Sequence, residues 1–123
     1  MIKIEEVEKI HEILVENFGG AKGIRDKASL ESAINRPYQT FGGVDLYANS
    51  IEKAAALFES IISNHPFIDG NKRTAYVLMR LLLKEGGFDL KVSEEAKYNF
   101  VISAAKGELT FEDIKKWIQL SIQ

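Results

Sequence analysis

Two stretches of this chain are apolar almost all the way round, and a crowded polar junction separates them. In the first, Ala54 to Phe58 is followed by Ile61 and Ile62, with only Glu59 and Ser60 interrupting; in the second, Ala75 to Leu83 is apolar except for Arg80. A helix without a polar side has to be surrounded by other elements, so these two are central and the rest of the chain must wrap them. Neither stretch approaches the roughly 20 apolar residues that span a bilayer, so no membrane partner is expected. With 123 residues there is room for one hydrophobic core, and 1–123 reads as a single domain.

The remaining segments have helical period. Ile4, Val7, Ile10, Leu14 and Phe18 recur at steps of three and four, and Gly19-Gly20 follows as a stop. A short helix over about Ser29 to Asn35 has to end before Pro37, because proline removes a donor and disfavours α geometry in its predecessor. Tyr38 to Asn49 is too broken for a helix and reads as a small hairpin or flap. Asn49 opens the first central helix, with Glu52 placed as a capping-box acid, and that helix runs to about Ser63. The second central helix spans Asn71 to Glu85 and stops at Gly86-Gly87. Ser93 to Lys106 and Thr110 to Ile122 complete the set as amphipathic outer helices. The expected class is all-α: a compact bundle of about six helices with a small flap.

Composition removes several functions. Sixteen Lys and Arg against eighteen Asp and Glu leave a formal charge of -2, which argues against direct nucleic-acid binding and against an anionic membrane surface. There is no cysteine, so disulfides, thiolate zinc sites and cysteine nucleophiles are excluded. The opening Met1 to Glu6 carries neither a secretory nor a lipidation pattern, and a cytoplasmic location is expected.

The chemistry is concentrated in the junction, Asn64-His65-Pro66-Phe67-Ile68-Asp69-Gly70-Asn71-Lys72-Arg73-Thr74. Cations in the first turn of a helix are disfavoured by roughly 0.3 to 1 kcal/mol each, since the helix end is already positive. Lys72 and Arg73 make sense there if an anion occupies the space, with Gly70 and Asn71 letting backbone N–H groups approach phosphate oxygens. Asp69 offers the hard oxygen that Mg²⁺ takes together with substrate phosphates. His65 is the candidate general base, because imidazole titrates near neutral pH. A Walker A loop is excluded, since Gly70 is followed by Asn71 and lacks the earlier glycine. Phosphoryl or nucleotidyl transfer from a Mg-nucleotide to a hydroxyl follows. Taken singly, each residue has a plainer reading: Asp69 as a helix cap, Lys72 and Arg73 as solvated charges, Phe67 and Ile68 as core anchors. His11 reads as a packed or partly exposed histidine, Trp117 and Phe111 as core, and Arg80 as a snorkelling or paired cation.

The nine residues His65 to Arg73 resemble the signature of the Fic/Doc superfamily, and Lys72 in place of the usual second glycine is similar to its death-on-curing (Doc) toxin branch. The likeness extends to Phe18-Gly19-Gly20, Gly23-Ile24-Arg25-Asp26, Phe41-Gly42-Gly43 and the Thr110 helix. It implies a Fic-type helical fold, Mg²⁺ and ATP as cofactors, His65 as base, Asp69 as metal ligand, and Gly70, Asn71, Lys72 and Arg73 around the phosphates. It further implies a toxin of a toxin–antitoxin pair that phosphorylates a protein hydroxyl, a threonine of elongation factor Tu. Its partner would be an antitoxin of the prevents-host-death type. The flap at Gln39, Thr40, Phe41, Gly42 and Gly43 matches where the family docks its target as an added strand. Pro66 and Gly70 follow the broader Fic motif, so AMP transfer stays open as the alternative, with a non-catalytic helical module as the other. Scanning for [S/T]-x-x-x-E-[G/N], the family's self-inhibitory pattern, finds none, which places the expected brake in a separate antitoxin.

Overall fold

A computed structural model describes residues 1–122. Six helices run in the order α1 (Ile4–Phe18), α2 (Lys27–Asn35), α3 (Ser50–Asn64), α4 (Asn71–Glu85), α5 (Glu94–Ala105) and α6 (Phe111–Ser121). A 3₁₀ turn at Arg36–Tyr38 leads from α2 into a hairpin of β1 (Thr40–Phe41) and β2 (Val44–Asp45). The chain is therefore an all-α bundle with one small hairpin, and the antiparallel helices α3 and α4 form its centre. Both central helices bury nearly every side: Ala54 to Phe58 and Ile61 on α3, and Ala75, Leu78, Met79 and Leu83 on α4, are almost fully enclosed. Among the described residues no helix is long and apolar enough to cross a membrane.

The boundaries follow the capping chemistry. Asp26 accepts the Ser29 N–H (3.0 Å), so α2 begins at Lys27, two residues before the expected Ser29, which is the capped residue and not the first one. Asn49 accepts the Glu52 N–H (2.9 Å) at the start of α3. The reciprocal capping-box bond is not formed there; the Glu52 carboxylate instead faces Lys115 of α6 at 3.8 Å. At α6 the box is complete, with Thr110 and Asp113 each accepting the other's N–H.

The outer helices attach through aromatic stacking. Phe58 of α3 stacks on Phe100 of α5 at 5.0 Å between centroids, and Phe100 stacks on Trp117 of α6 at 3.8 Å. In α1 the buried stripe is Val7, His11 and Val15, not the expected line through Phe18, which lies exposed. The period was right but its centre is rotated by one residue, which puts a histidine at the middle of the apolar face.

The hairpin pairs Thr40 with Asp45 and Phe41 with Val44. Gly42 and Gly43 close it with φ of 59° and 80°, the left-handed values at both central positions that suit a two-residue turn. Its base is pinned to α3 by Arg36, which donates to the Tyr47 hydroxyl (2.9 Å) and the Ser60 hydroxyl (3.0 Å) and pairs with Glu59 (2.8 Å). Lys53 of α3 also donates to the Tyr47 carbonyl. Phe41 and Val44 nevertheless stay 80% and 70% exposed, so the hairpin stands off the bundle instead of filling it.

Phe100 is the middle of the aromatic ladder and nearly buried. Phe100→Ala is expected to cost about 3–5 kcal/mol in urea unfolding, because Phe58 and Trp117 would lose their shared partner; a loss below about 1 kcal/mol would show that α5 and α6 attach by other means.

Candidate functional site

The turn between α3 and α4 begins with backbone strain. Pro66 disfavours a right-handed helical conformation at the residue before it, and His65 leaves α3 in the left-handed conformation, φ 49° and ψ 57°. It is the one non-glycine residue with positive φ among the described residues, a conformation that costs on the order of 1–3 kcal/mol. The His65 N–H still bonds back to Ile61 O (3.1 Å). Arg25 grips the other side: its Nε donates to His65 O (2.7 Å) and its Nη2 to Asn64 O (2.6 Å). A guanidinium on the last carbonyls of a helix is also favoured by the helix dipole.

The segment between α1 and α2 braces the rest of the turn. Ile24 bridges Phe67 in antiparallel fashion; Arg25 and Asp26 N–H groups donate to Pro66 O (2.8 and 3.1 Å), and Ile68 N–H donates to Gly23 O (3.1 Å). Inside the turn, Asn71 accepts the Phe67 N–H (2.9 Å) and donates to Phe67 O (3.0 Å). The Asn71 side chain is thus engaged in closing the loop, and its backbone N–H is left to face a phosphate. Phe67 is buried as expected, but Ile68 is 57% exposed and is no core anchor: it lies over Gly23, where an added Cβ would come within 3.0 Å of its Cδ1.

Asp69 is not the cap of α4. Gly70 holds that position, with φ 75° and no side-chain bond. The Asp69 carboxylate instead accepts the Ala21 N–H at Oδ2 (3.1 Å) and the Gly70 N–H at Oδ1 (2.8 Å). These two bonds, Ala21 first, hold its pKa below the ordinary carboxylate value, with smaller help from Lys72 and His11. Each oxygen keeps lone pairs for a further partner.

The amino end of α4 is open. Its first helical bond is from Thr74 N–H to Gly70 O (3.0 Å), which leaves the N–H groups of Asn71, Lys72 and Arg73 without helical partners. No acid stands in its first turn, whereas α2, α3, α5 and α6 are all capped by a side chain. Lys72 and Arg73 pair with no carboxylate among the described residues; Arg73 rests 4.4 Å over the Phe18 ring. A cleft of about 270 Å³ is lined by His65, Ile68, Asp69, Gly70, Asn71, Lys72 and Arg73, so the expected base, acid and cations are brought to one surface. A second hollow of about 250 Å³ shares Lys72 and Arg73 and continues between α4 and α5 past Tyr76 and Tyr98. Gln39, Thr40, Phe41, Gly42 and Gly43 are not among the cleft's lining residues. No group of three or more His, Asp or Glu side chains that could hold a metal by itself occurs among the described residues. One carboxylate with spare lone pairs beside an anion cradle fits Mg²⁺ carried in with phosphates.

Two supporting residues were not assigned a role from the sequence. Arg25 belonged to the motif likeness without one, and its contacts are to backbone carbonyls, which leave no trace in residue pattern. His11 had one signal, its position four residues from both Val7 and Val15 on a single helical face.

Gly20 has φ 112°, and a Cβ there would sit 2.7 Å from Asp69 Oδ2. Gly20→Ala is therefore expected to push the carboxylate off the Ala21 N–H and move its pKa back up toward the ordinary value. In the wild type the lowered pKa adds stability that is complete above the unfolded value near 3.9 and is lost as pH falls through the folded value; the variant loses part of that window. A carboxyl NMR titration with the same Asp69 midpoint in both proteins would contradict the assignment.

Comparison with known proteins gives a consistent picture. The Fic/DOC family profile matches residues 1–83, which include α1, the bracing segment and the whole turn. The Toxin Doc of Mycolicibacterium smegmatis is 44% identical over 73 residues, 59% of this chain; the matched stretch spans 56% of that relative's own length. The Protein kinase doc of Escherichia phage P1 is 27% identical over 113 residues, 92% of this chain and 88% of that protein. With two thirds of its length under the family profile and Doc proteins as relatives on both matches, the chain belongs to the Fic/DOC family, on its Doc branch.

Proposed function

We propose that this protein is the toxin of a toxin–antitoxin pair and acts as an ATP-dependent phosphotransferase on a protein hydroxyl. The observation that carries the reading is the open amino end of α4: three free N–H groups and two cations with no acidic partner, set beside an ionised carboxylate and a strained histidine on one cleft. Such an arrangement is destabilising for the empty protein and favourable once phosphate oxygens occupy it. The hollow past Tyr76 and Tyr98 has aromatic walls suited to a flat base. The names of the two relatives, a toxin and a protein kinase, support the same reading.

His65 takes the proton from the attacking hydroxyl. The oxygen bonds to the γ-phosphorus while the bond to the β–γ bridging oxygen breaks, and ADP leaves. Lys72, Arg73 and the N–H groups of α4 bind the phosphate oxygens and stabilise the charge that builds on them. Asp69 would hold Mg²⁺, whose charge offsets that of the phosphates. Lys72 favours transfer of the γ-phosphate, because its bulk and charge stand where the distal phosphates of an AMP donor would lie. In the alternative, AMP transfer, the same proton removal is followed by attack on the α-phosphorus and loss of pyrophosphate.

For the target we infer a threonine of elongation factor Tu, presented by the hairpin, whose Phe41 and Val44 are exposed beside a free strand edge. For the antitoxin we infer an amphipathic segment in the groove of about 390 Å³ between α1 and α4, lined by Ile2, Glu6, Ile10, Leu78, Leu81, Lys84 and Glu85.

His65→Asn is the cleanest test, since asparagine tolerates the left-handed conformation and cannot serve as a base. It is expected to lower transfer by roughly 10² to 10⁴-fold with little change in melting temperature. Parallel reactions with α- and γ-labelled ATP should label the target from the γ position only; label from the α position would overturn the kinase reading in favour of AMP transfer, and no label from either would overturn both.

A further inference from the structure

His11 is one of two histidines in the chain, is only 2% exposed and takes no part in the chemistry above. Its ring stacks on Phe67 at 3.9 Å and 7°, and its Nε2 lies 2.7 Å from Asp69 O. A carbonyl can only accept, so Nε2 carries the proton and donates. The group it holds is the peptide between Asp69 and Gly70, and the N–H of that same peptide is the donor to Asp69 Oδ1 (2.8 Å). One edge of the peptide plane is thus held by His11 and the opposite edge by the carboxylate. Turning the plane would break both bonds together. The second oxygen, Oδ2, is held by Ala21, three residues past the end of α1. Both anchors of the carboxylate therefore trace back to α1 and the loop that leaves it.

We propose that His11 is a positioning residue: by fixing the Asp69–Gly70 peptide plane from within the core, it sets where the Asp69 carboxylate is presented to a divalent cation. This rests on the reading of Asp69 as the metal ligand. A leucine would fill the same space in α1 and a phenylalanine would stack equally well, but neither could donate to the carbonyl. Histidine supplies both a flat face and an N–H at the required reach. Partners that orient a metal ligand from behind typically change metal affinity by about 10 to 100-fold when removed.

Calorimetry of Mg-ATP binding, with urea unfolding alongside, separates this from a merely structural role. His11→Phe keeps the stack and deletes the donor; His11→Gln restores a donor without the ring; Asp69→Asn is the reference for loss of the ligand. The expected result is at least a tenfold weakening in His11→Phe, approaching that of Asp69→Asn, and recovery to within about threefold of wild type in His11→Gln even where its stability is lower. If Asp69→Asn weakens binding while His11→Phe binds as wild type, the positioning role is overturned and the metal reading stands. The same holds if the affinity of the two His11 variants simply follows their stability, with no recovery in His11→Gln. If Asp69→Asn binds as tightly as wild type, the metal reading itself falls and the proposal falls with it.

Discussion

Between two buried helices the chain has to reverse, and a reversal exposes backbone groups that neither helix can satisfy. Here the turn from His65 to Gly70 is paired by the segment running from Gly20 to Asp26, through the Ile24–Phe67 bridge and the bonds of Arg25 and Asp26 to Pro66. The rest of the structure depends on that pairing. It allows Pro66 to stop α3 without unravelling it, and it lets His65 stay in a left-handed conformation. It also stacks the α1–α2 connection directly beneath the candidate site. A turn of this length held only by its own residues would be mobile; one clipped to a second loop is held at each end and in the middle.

The helical frame was legible in the sequence because its signals are local. Asn49, Ser93 and Thr110 announce helix starts, Gly86-Gly87 announces a stop, and the apolar runs of α3 and α4 have no other stable home. The hairpin was legible from Gly42-Gly43, which suits a turn needing positive φ twice. What the sequence obscured were contacts between elements. The Asn71 side chain closes its own loop, a choice that its spacing from Phe67 permits but does not demand. Ile68 looks like a core residue by type, yet the loop is so short that only one of two adjacent apolar side chains can point inward, and Phe67 takes that place. His11 shows the same limit: its period placed it near the buried face of α1, but the carbonyl it serves lies 58 positions away.

Electrostatically the site is lopsided. Lys72, Arg73 and the open end of α4 are positive, while Asp69 is a single carboxylate already engaged by two N–H groups. Several cations elsewhere in the protein are paired with carboxylates: Arg36 with Glu59, Arg80 with Asp89, Lys115 with Glu52. Arg73 rests instead on the face of Phe18. A cation on an aromatic face keeps its full charge for an incoming anion, whereas one in an ion pair has to exchange partners first. Exposed contacts of this kind are worth about 0.5–1 kcal/mol, enough to orient the guanidinium and little enough to release it.

The division of labour between the two histidines follows from where each lies. His65, at the surface, has its backbone restrained on both sides and its ring free of hydrogen bonds to the described residues, which suits the proton-accepting role proposed for it. His11, in the core, has its ring committed on a face and at a nitrogen. The proposed chemistry needs a mobile proton at one point and an immobile carboxylate a few residues away. The turn supplies one of the carboxylate's bonds itself, from the Gly70 N–H, and the other comes from Ala21 in the segment behind it. Bracing from α1 and the Gly20–Asp26 segment places the rigid contacts behind the turn and leaves its front open.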